Sequence, residues 1–203
     1  MQRQEFKRQL DELGKVISDG IAYFSAWRGL MVEDEDSAHA LNRYRGLFLP
    51  ARSALLWMTL MQFAKVFDRN PRTVSLRNLL TAAKKNRENL TPYATEENLR
   101  HIEKKIDTSE GLLDRLKRLR DQRIAHHDAI PAGDVSLPYG EVRELVEEIK
   151  SMYNLLTSGH EKSVTHFEYL TREAERHTSE VVRIMREDRD RAIQRIKQID
   201  TAT

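Results

Sequence analysis

Apolar residues in this chain recur every three or four positions over most of its length, and no stretch alternates apolar with polar as a half-buried strand would. That periodicity restricts the chain to an all-α architecture, because a stripe at about 100° per residue has one buried face only when the backbone is helical. The stripes can be followed in order. Phe6, Leu10, Leu13, Ile17, Ile21 and Phe24 mark a first helix from Glu5 to about Leu30, with Gly14, Gly20 and Gly29 as weak points within it. Glu33 to Ser37 reads as an acidic loop whose last residues can cap the next helix. That long helix is predicted from about Ala38 to Phe67, bent at Pro50. It is apolar on almost every side from Ala54 onward, as the central helix of a bundle would be.

The turn Asp68-Arg69-Asn70-Pro71 stops that helix, and Leu76, Leu79, Leu80 and Ala83 mark a shorter one between Ser75 and Lys85. Thr95, with Glu97 and Asn98 close behind, is placed to cap a helix carrying Leu99, Ile102 and Ile106. An interruption is expected at 107–111 before Leu112 resumes the pattern. Pro131, Gly133 and Pro138 mark a loop, and Val142, Leu145, Val146, Ile149, Met152, Tyr153 and Leu156 form the next stripe. Beyond Gly159 the chain becomes charged, and Arg172 to Lys197 is mostly Arg, Glu and Asp. The expected organisation is a helical bundle over 1–158 with a helical extension over 159–203, either packed on the same domain or pairing with a partner.

Charge and composition exclude several functions. With 34 basic against 32 acidic side chains the net charge is +2, so any contact with nucleic acid must come from a local patch. The absence of cysteine removes disulfides and thiolate metal sites and suits a reducing, cytoplasmic location; the first residues lack the apolar core of a secretory signal. Ser53 to Ala64 is the most apolar run. It is shorter than the roughly 20 residues of a membrane span and flanked by Pro50, Arg52 and Lys65, so a buried helix is expected and no membrane partner. No glutamate stands three residues before a histidine, and Glu173 with His177 on a charged helix reads as an ion pair, so no metal site is predicted. Gly-rich phosphate loops and nucleophile elbows are absent, and no cofactor is implied.

What remains is the end of the stripe Leu112, Leu113, Leu116, Leu119. Continuing that side of the helix brings up Arg120, Arg123 and His127, with His126 at its edge. A core-facing stripe carries such groups only when they are paired or line a polar cleft. Arginine and histidine together suit phosphodiester cleavage. An imidazole exchanges a proton near neutral pH, and a guanidinium stays charged and donates paired hydrogen bonds to phosphate oxygens. The opposing reading is a helix C-terminus whose basic side chains meet free carbonyls and the negative end of the dipole, with no catalysis.

The segment Leu119-Arg-Asp-Gln-Arg-Ile-Ala-His-His-Asp128 resembles the Arg-x(4–6)-His signature of the HEPN superfamily. Its wording, with the upstream Val66-Phe67-Asp68 and the Ser75-Leu-Arg-Asn-Leu-Leu80 helix, resembles the abortive-infection AbiU-type branch. The resemblance implies an all-α, HEPN-like antiparallel helical bundle, here with a long charged C-terminal helix. It also implies metal-independent endoribonuclease activity in phage defence or toxin–antitoxin growth control. Two protomers would bring their motifs into one cleft at the subunit interface, with RNA as substrate and a protein antitoxin as a candidate partner. By position, Arg120 and His126 match the catalytic pair, with His127 as the alternative histidine. Asp121 is placed to orient an active-site group, and Arg123 either assists with phosphate or bonds a neighbouring carboxylate. Some members carry a modifiable tyrosine two residues past the histidine; here that position is Asp128, which argues against that regulation. HEPN-like domains without nuclease activity also exist, so a non-catalytic helical interaction module is the second expectation.

Overall fold

The computed structural model describes residues 1–120 and 137–200, and among these every regular element is a helix. In chain order they are α1 (Arg3–Gly29), α2 (Glu35–Arg43), α3 (Arg45–Val66), α4 (Leu76–Lys85), α5 (Arg87–Leu90), α6 (Glu96–Thr108), α7 (Glu110–Arg120), α8 (Tyr139–Glu161) and α9 (Glu168–Asp200). The all-α expectation holds, including the long charged helix at the C-terminal end. The described residues form two compact units, one of 1–20 with 60–167 and one of 21–59 with 168–203, of which the last three positions are not described.

In the first unit, Phe6, Leu10, Leu13 and Ile17 of α1 are fully or almost fully buried, as are Leu76 and Leu79 of α4, Ile102 of α6, and Leu145, Ile149, Met152 and Leu156 of α8. α6 packs on both α4 and α8. Gly14 and Gly20 do not interrupt α1, and Gly29 is its last residue. Gly20 instead lets the helix approach α3, since a methyl group there would lie 2.6 Å from Phe63 Cε1. α1 is also tied to α8 by Tyr153, whose hydroxyl donates to Leu10 O at 3.2 Å, and by the ion pair of Lys7 with Glu161 at 2.9 Å.

Several local signals act where the sequence places them. Ser75 accepts from Asn78 N at 3.3 Å at the start of α4. Thr95 and Asn98 exchange bonds reciprocally, satisfying two free amides at the start of α6. The stripe is interrupted at Ser109, which separates α6 from α7.

The second unit contains the end of α1, α2, the first part of α3, and α9. Here two expectations are corrected. The acidic stretch is not all loop: Asp34 caps the helix by accepting from Ser37 N at 2.8 Å, and Glu35 and Asp36 form the first turn of α2, where negative charge suits the free amides. The predicted helix from 38 to 67 breaks at Tyr44, not at Pro50, which lies inside α3 as its sixth residue.

α3 is also not buried throughout. Leu60, Phe63 and Val66 are buried, but Leu47 is 65 % exposed, Leu49 54 % and Met58 41 %. At 22 residues, α3 alone among the described helices is long and apolar enough to cross a bilayer. It carries Arg52 within it, and its last turns lie in the core of the first unit. α9 packs on α2, and its Val182 is buried. The contact is reinforced by Arg189 with Asp36 at 2.9 Å and Arg43 with Asp188 at 3.4 Å. Much of its charge is used along its own length, Arg183 bridging Glu180 and Glu187.

Candidate functional site

The motif helix is α7, whose orientation follows from three side chains. Leu113, Leu116 and Leu119 are 7 %, 2 % and 7 % exposed, and burial of each is worth about 1.5–3 kcal/mol, more than the surface ion pairs beside them. Leu112, expected on the same stripe, is only half-buried. Arg120 is the last residue of α7, one turn beyond Leu116. Asp121, Arg123, His126 and His127 lie outside the described residues, and so does the juxtaposition of Arg120 with His126.

Beside the face of α7 that leads to Arg120 lies a small cleft of about 60 Å³, walled by Ala64 and Phe67 of the α3 end, Asp68 and Arg69 of the following turn, Arg77 of α4, and Leu113, Asp114, Leu116 and Lys117 of α7. The turn that presents Arg69 is locked from within. Asn70 N donates to Asp68 Oδ1 at 3.0 Å, Arg72 N donates to Asn70 Oδ1 at 3.0 Å, and the Asn78 amide of α4 donates to Asn70 O and Thr73 O, both at 2.8 Å. Asx turns and one side chain from α4 thus hold the loop in place.

The charged groups of the cleft are coupled. The carboxylate of Glu110 receives Arg69 on one oxygen and Arg77 on the other, and Arg69 also donates to Asp114 Oδ1 at 3.0 Å. Arg77 is the more buried of the two guanidiniums, at 22 % side-chain exposure, and its Nε is buried without an acceptor. Lys117, exposed on the next turn after Asp114, has no ion-pair partner among the described residues. The cleft therefore combines a held pair of guanidiniums with an ammonium that none of the described carboxylates engages, three residues before Arg120.

None of Arg69, Arg77, Glu110, Asp114 and Lys117 stood out in the sequence. The one signal available was the spacing of Glu110, Asp114 and Lys117 at i, i+4 and i+7, which places them along one side of α7. Arg69 and Arg77 belong to different elements, and only packing brings them to the same carboxylate. Away from this region, Glu173 pairs with both Arg176 at 3.0 Å and His177 at 3.7 Å on α9, as the ion-pair reading expects. Among the described residues no group of three potential metal ligands converges.

No curated protein and no solved structure matches the chain. A family model does: the one described as AbiU2, of the HEPN group, matches residues 3–181. That span takes in every described helix from α1 to α8, the motif segment at the end of α7 and the first part of α9, and the chain belongs to the AbiU2 abortive-infection family of HEPN domains.

Proposed function

We propose that this protein is a metal-independent RNA endonuclease acting in abortive infection, with Arg120 and His126 as its catalytic pair. The observation that carries the reading is the segment Leu119 to Asp128, whose Arg-x₅-His spacing follows a helix with three leucines anchored in the core and a cleft bearing Arg69, Arg77 and Lys117 at its side. In the reaction, neutral His126 accepts the proton of a ribose 2′-hydroxyl, and the freed oxygen attacks the adjacent phosphorus. Arg120 donates to the equatorial oxygens as charge accumulates on them. The proton taken up by His126, or one from water, passes to the departing 5′-oxygen, giving a 2′,3′-cyclic phosphate and a 5′-hydroxyl end. Asp121 orients an active-site group, Arg123 assists at the phosphate, and His127 is the substitute if the helix continues unbroken past Arg120.

The working unit in this reading is a cytoplasmic homodimer with its cleft between subunits, held inactive by a protein antitoxin. Leu47 and Met58, exposed along one side of α3, support the existence of a partner surface. The same side chains favour a second reading, a non-catalytic interaction module.

Cleavage of labelled single-stranded RNA in EDTA separates the two. Arg120→Ala and His126→Ala should each lower the rate by about a hundredfold or more while far-UV circular dichroism stays unchanged. Equal cleavage by wild type and both variants, with the His126/His127 double alanine variant also active, removes the nuclease assignment.

A further inference from the structure

We propose that the cleft walled by Arg69, Arg77 and Lys117 is a subsite for a backbone phosphate of the RNA strand. The identity of the ligand rests on the nuclease reading; the anion-binding character of the cleft does not.

The first argument is a donor count. A guanidinium has five N–H donors and an ammonium three, and neither accepts. Arg69 makes both of its bonds, to Glu110 and Asp114, through Nη2. Its Nε and Nη1 have no protein acceptor among the described residues. Arg77 bonds Glu110 through Nη2 while its buried Nε has no acceptor, and Lys117 bonds nothing among the described residues. Of the carboxylates nearby, Glu110 is engaged on both oxygens by two arginines, while Asp114 takes Arg69 and Asp68 takes the amide of Asn70 on one oxygen each, leaving one oxygen of each aspartate. Donors thus outnumber the free acceptors in one small space, and a group with several anionic oxygens is the ligand that matches.

The second argument is size and place. About 60 Å³ accommodates several oxygen-sized atoms, as a phosphate presents. Leu113, Asp114, Leu116 and Lys117 form the α7 wall, and on a helix residues three apart have side chains rooted about 5–6 Å from each other. Lys117 stands one turn before the end of α7, the helix that leads into the motif segment. The Arg69–Glu110–Arg77 arrangement supplies rigidity. Two of the three cations are fixed before the ligand arrives, so little side-chain order is lost on binding.

Lys117 is the residue to test because it is exposed and makes no contact among the described residues on which folding depends. The probe is a short fluorescein-labelled 2′-O-methyl RNA, which lacks the nucleophilic hydroxyl and so reports binding without cleavage. Lys117→Glu should weaken binding by about tenfold, and the slope of log affinity against log salt should fall by about 0.7 for the lost phosphate contact. Lys117→Gln should fall between it and wild type. Lys104→Glu, the same charge change at an exposed site on α6, should alter affinity by less than about twofold.

On unmodified RNA the Lys117 variants should raise KM with kcat nearly constant, the signature of lost binding common to ground and transition states. Equal effects of Lys117→Glu and Lys104→Glu, no effect of either, or no binding of the probe by wild type would each overturn the subsite. Cleavage that depends on Arg120 and His126 but not on Lys117 overturns the subsite and leaves the nuclease reading standing alone. Lys117-dependent binding without cleavage supports the subsite and overturns the nuclease reading.

Discussion

Replacing Gly20 by alanine separates what a helix prefers from what this packing permits. Gly20 lies well inside α1, and in an isolated helix the change would stabilise by about 1 kcal/mol, since glycine is the poorer helix former. In this structure the new methyl would lie 2.6 Å from Phe63 Cε1, 3.0 Å from Cδ1 and 3.2 Å from Gln62 Cβ, where ordinary carbon contacts are about 3.5–4.0 Å. Phe63 is 0 % exposed, so its ring has no solvent to move into, and relief requires α1 and α3 to separate by most of an ångström. Overpacking of this kind costs roughly 1–3 kcal/mol. The balance is a net loss of up to about 2 kcal/mol. With a melting temperature that shifts by about 2–4 °C per kcal/mol for a chain of this size, Tm should fall by several degrees in a thermal scan followed by far-UV circular dichroism. Shortening the ring side chain should reverse the sign: in a Phe63→Leu background, Gly20→Ala should be neutral or stabilising. A Gly20→Ala variant more stable than wild type in the unmodified background would refute the close approach of α1 to α3.

The ion pair of Lys7 with Glu161, which ties α1 to α8, makes stability depend on pH. The hydrogen bond from Lys7 holds the Glu161 carboxyl below its usual value, so its contribution is present above the unfolded pKa and is lost as pH falls through the folded one. Glu161→Gln should therefore flatten the decline of Tm on acidification below about pH 4.5 and change little near neutrality; an unaltered acid limb would show that the pair contributes nothing. On the exposed apolar part of α3, Leu47→Glu with Met58→Glu should shift the protein to a monomer in light scattering after size exclusion, with helix content kept. A mass unchanged from wild type at equal concentration would remove these residues from the proposed subunit contact.

Particular elements show how far linear pattern reaches. The stripes of α1, α6 and α8 were legible because each is buried on one face only, which is the condition under which periodicity reports orientation. The Thr95 cap was legible because its partner Asn98 lies three residues away, and local hydrogen bonds are written in local sequence. The buried helix expected over Ser53 to Ala64 is exposed at Ser53, Ala54 and Met58, because a run apolar on all sides carries no period and exposure then depends on what else packs there. Tyr44 ends α2, while the nearby Gly46 and Pro50, the usual helix-stopping residues, both lie inside α3.

For the site the division is similar. Sequence by itself determined the helical class, the family and the positions of Arg120, His126 and His127 at the end of a leucine stripe, because all of these are properties of spacing along the chain. Tertiary structure alone decided that Arg69 and Arg77, from a turn and a separate helix, meet on the single carboxylate of Glu110 beside that stripe, with Lys117 left without an ion pair among the described residues. Charge pairing across elements depends on distances that packing of the leucines sets, and no interval in the chain encodes them.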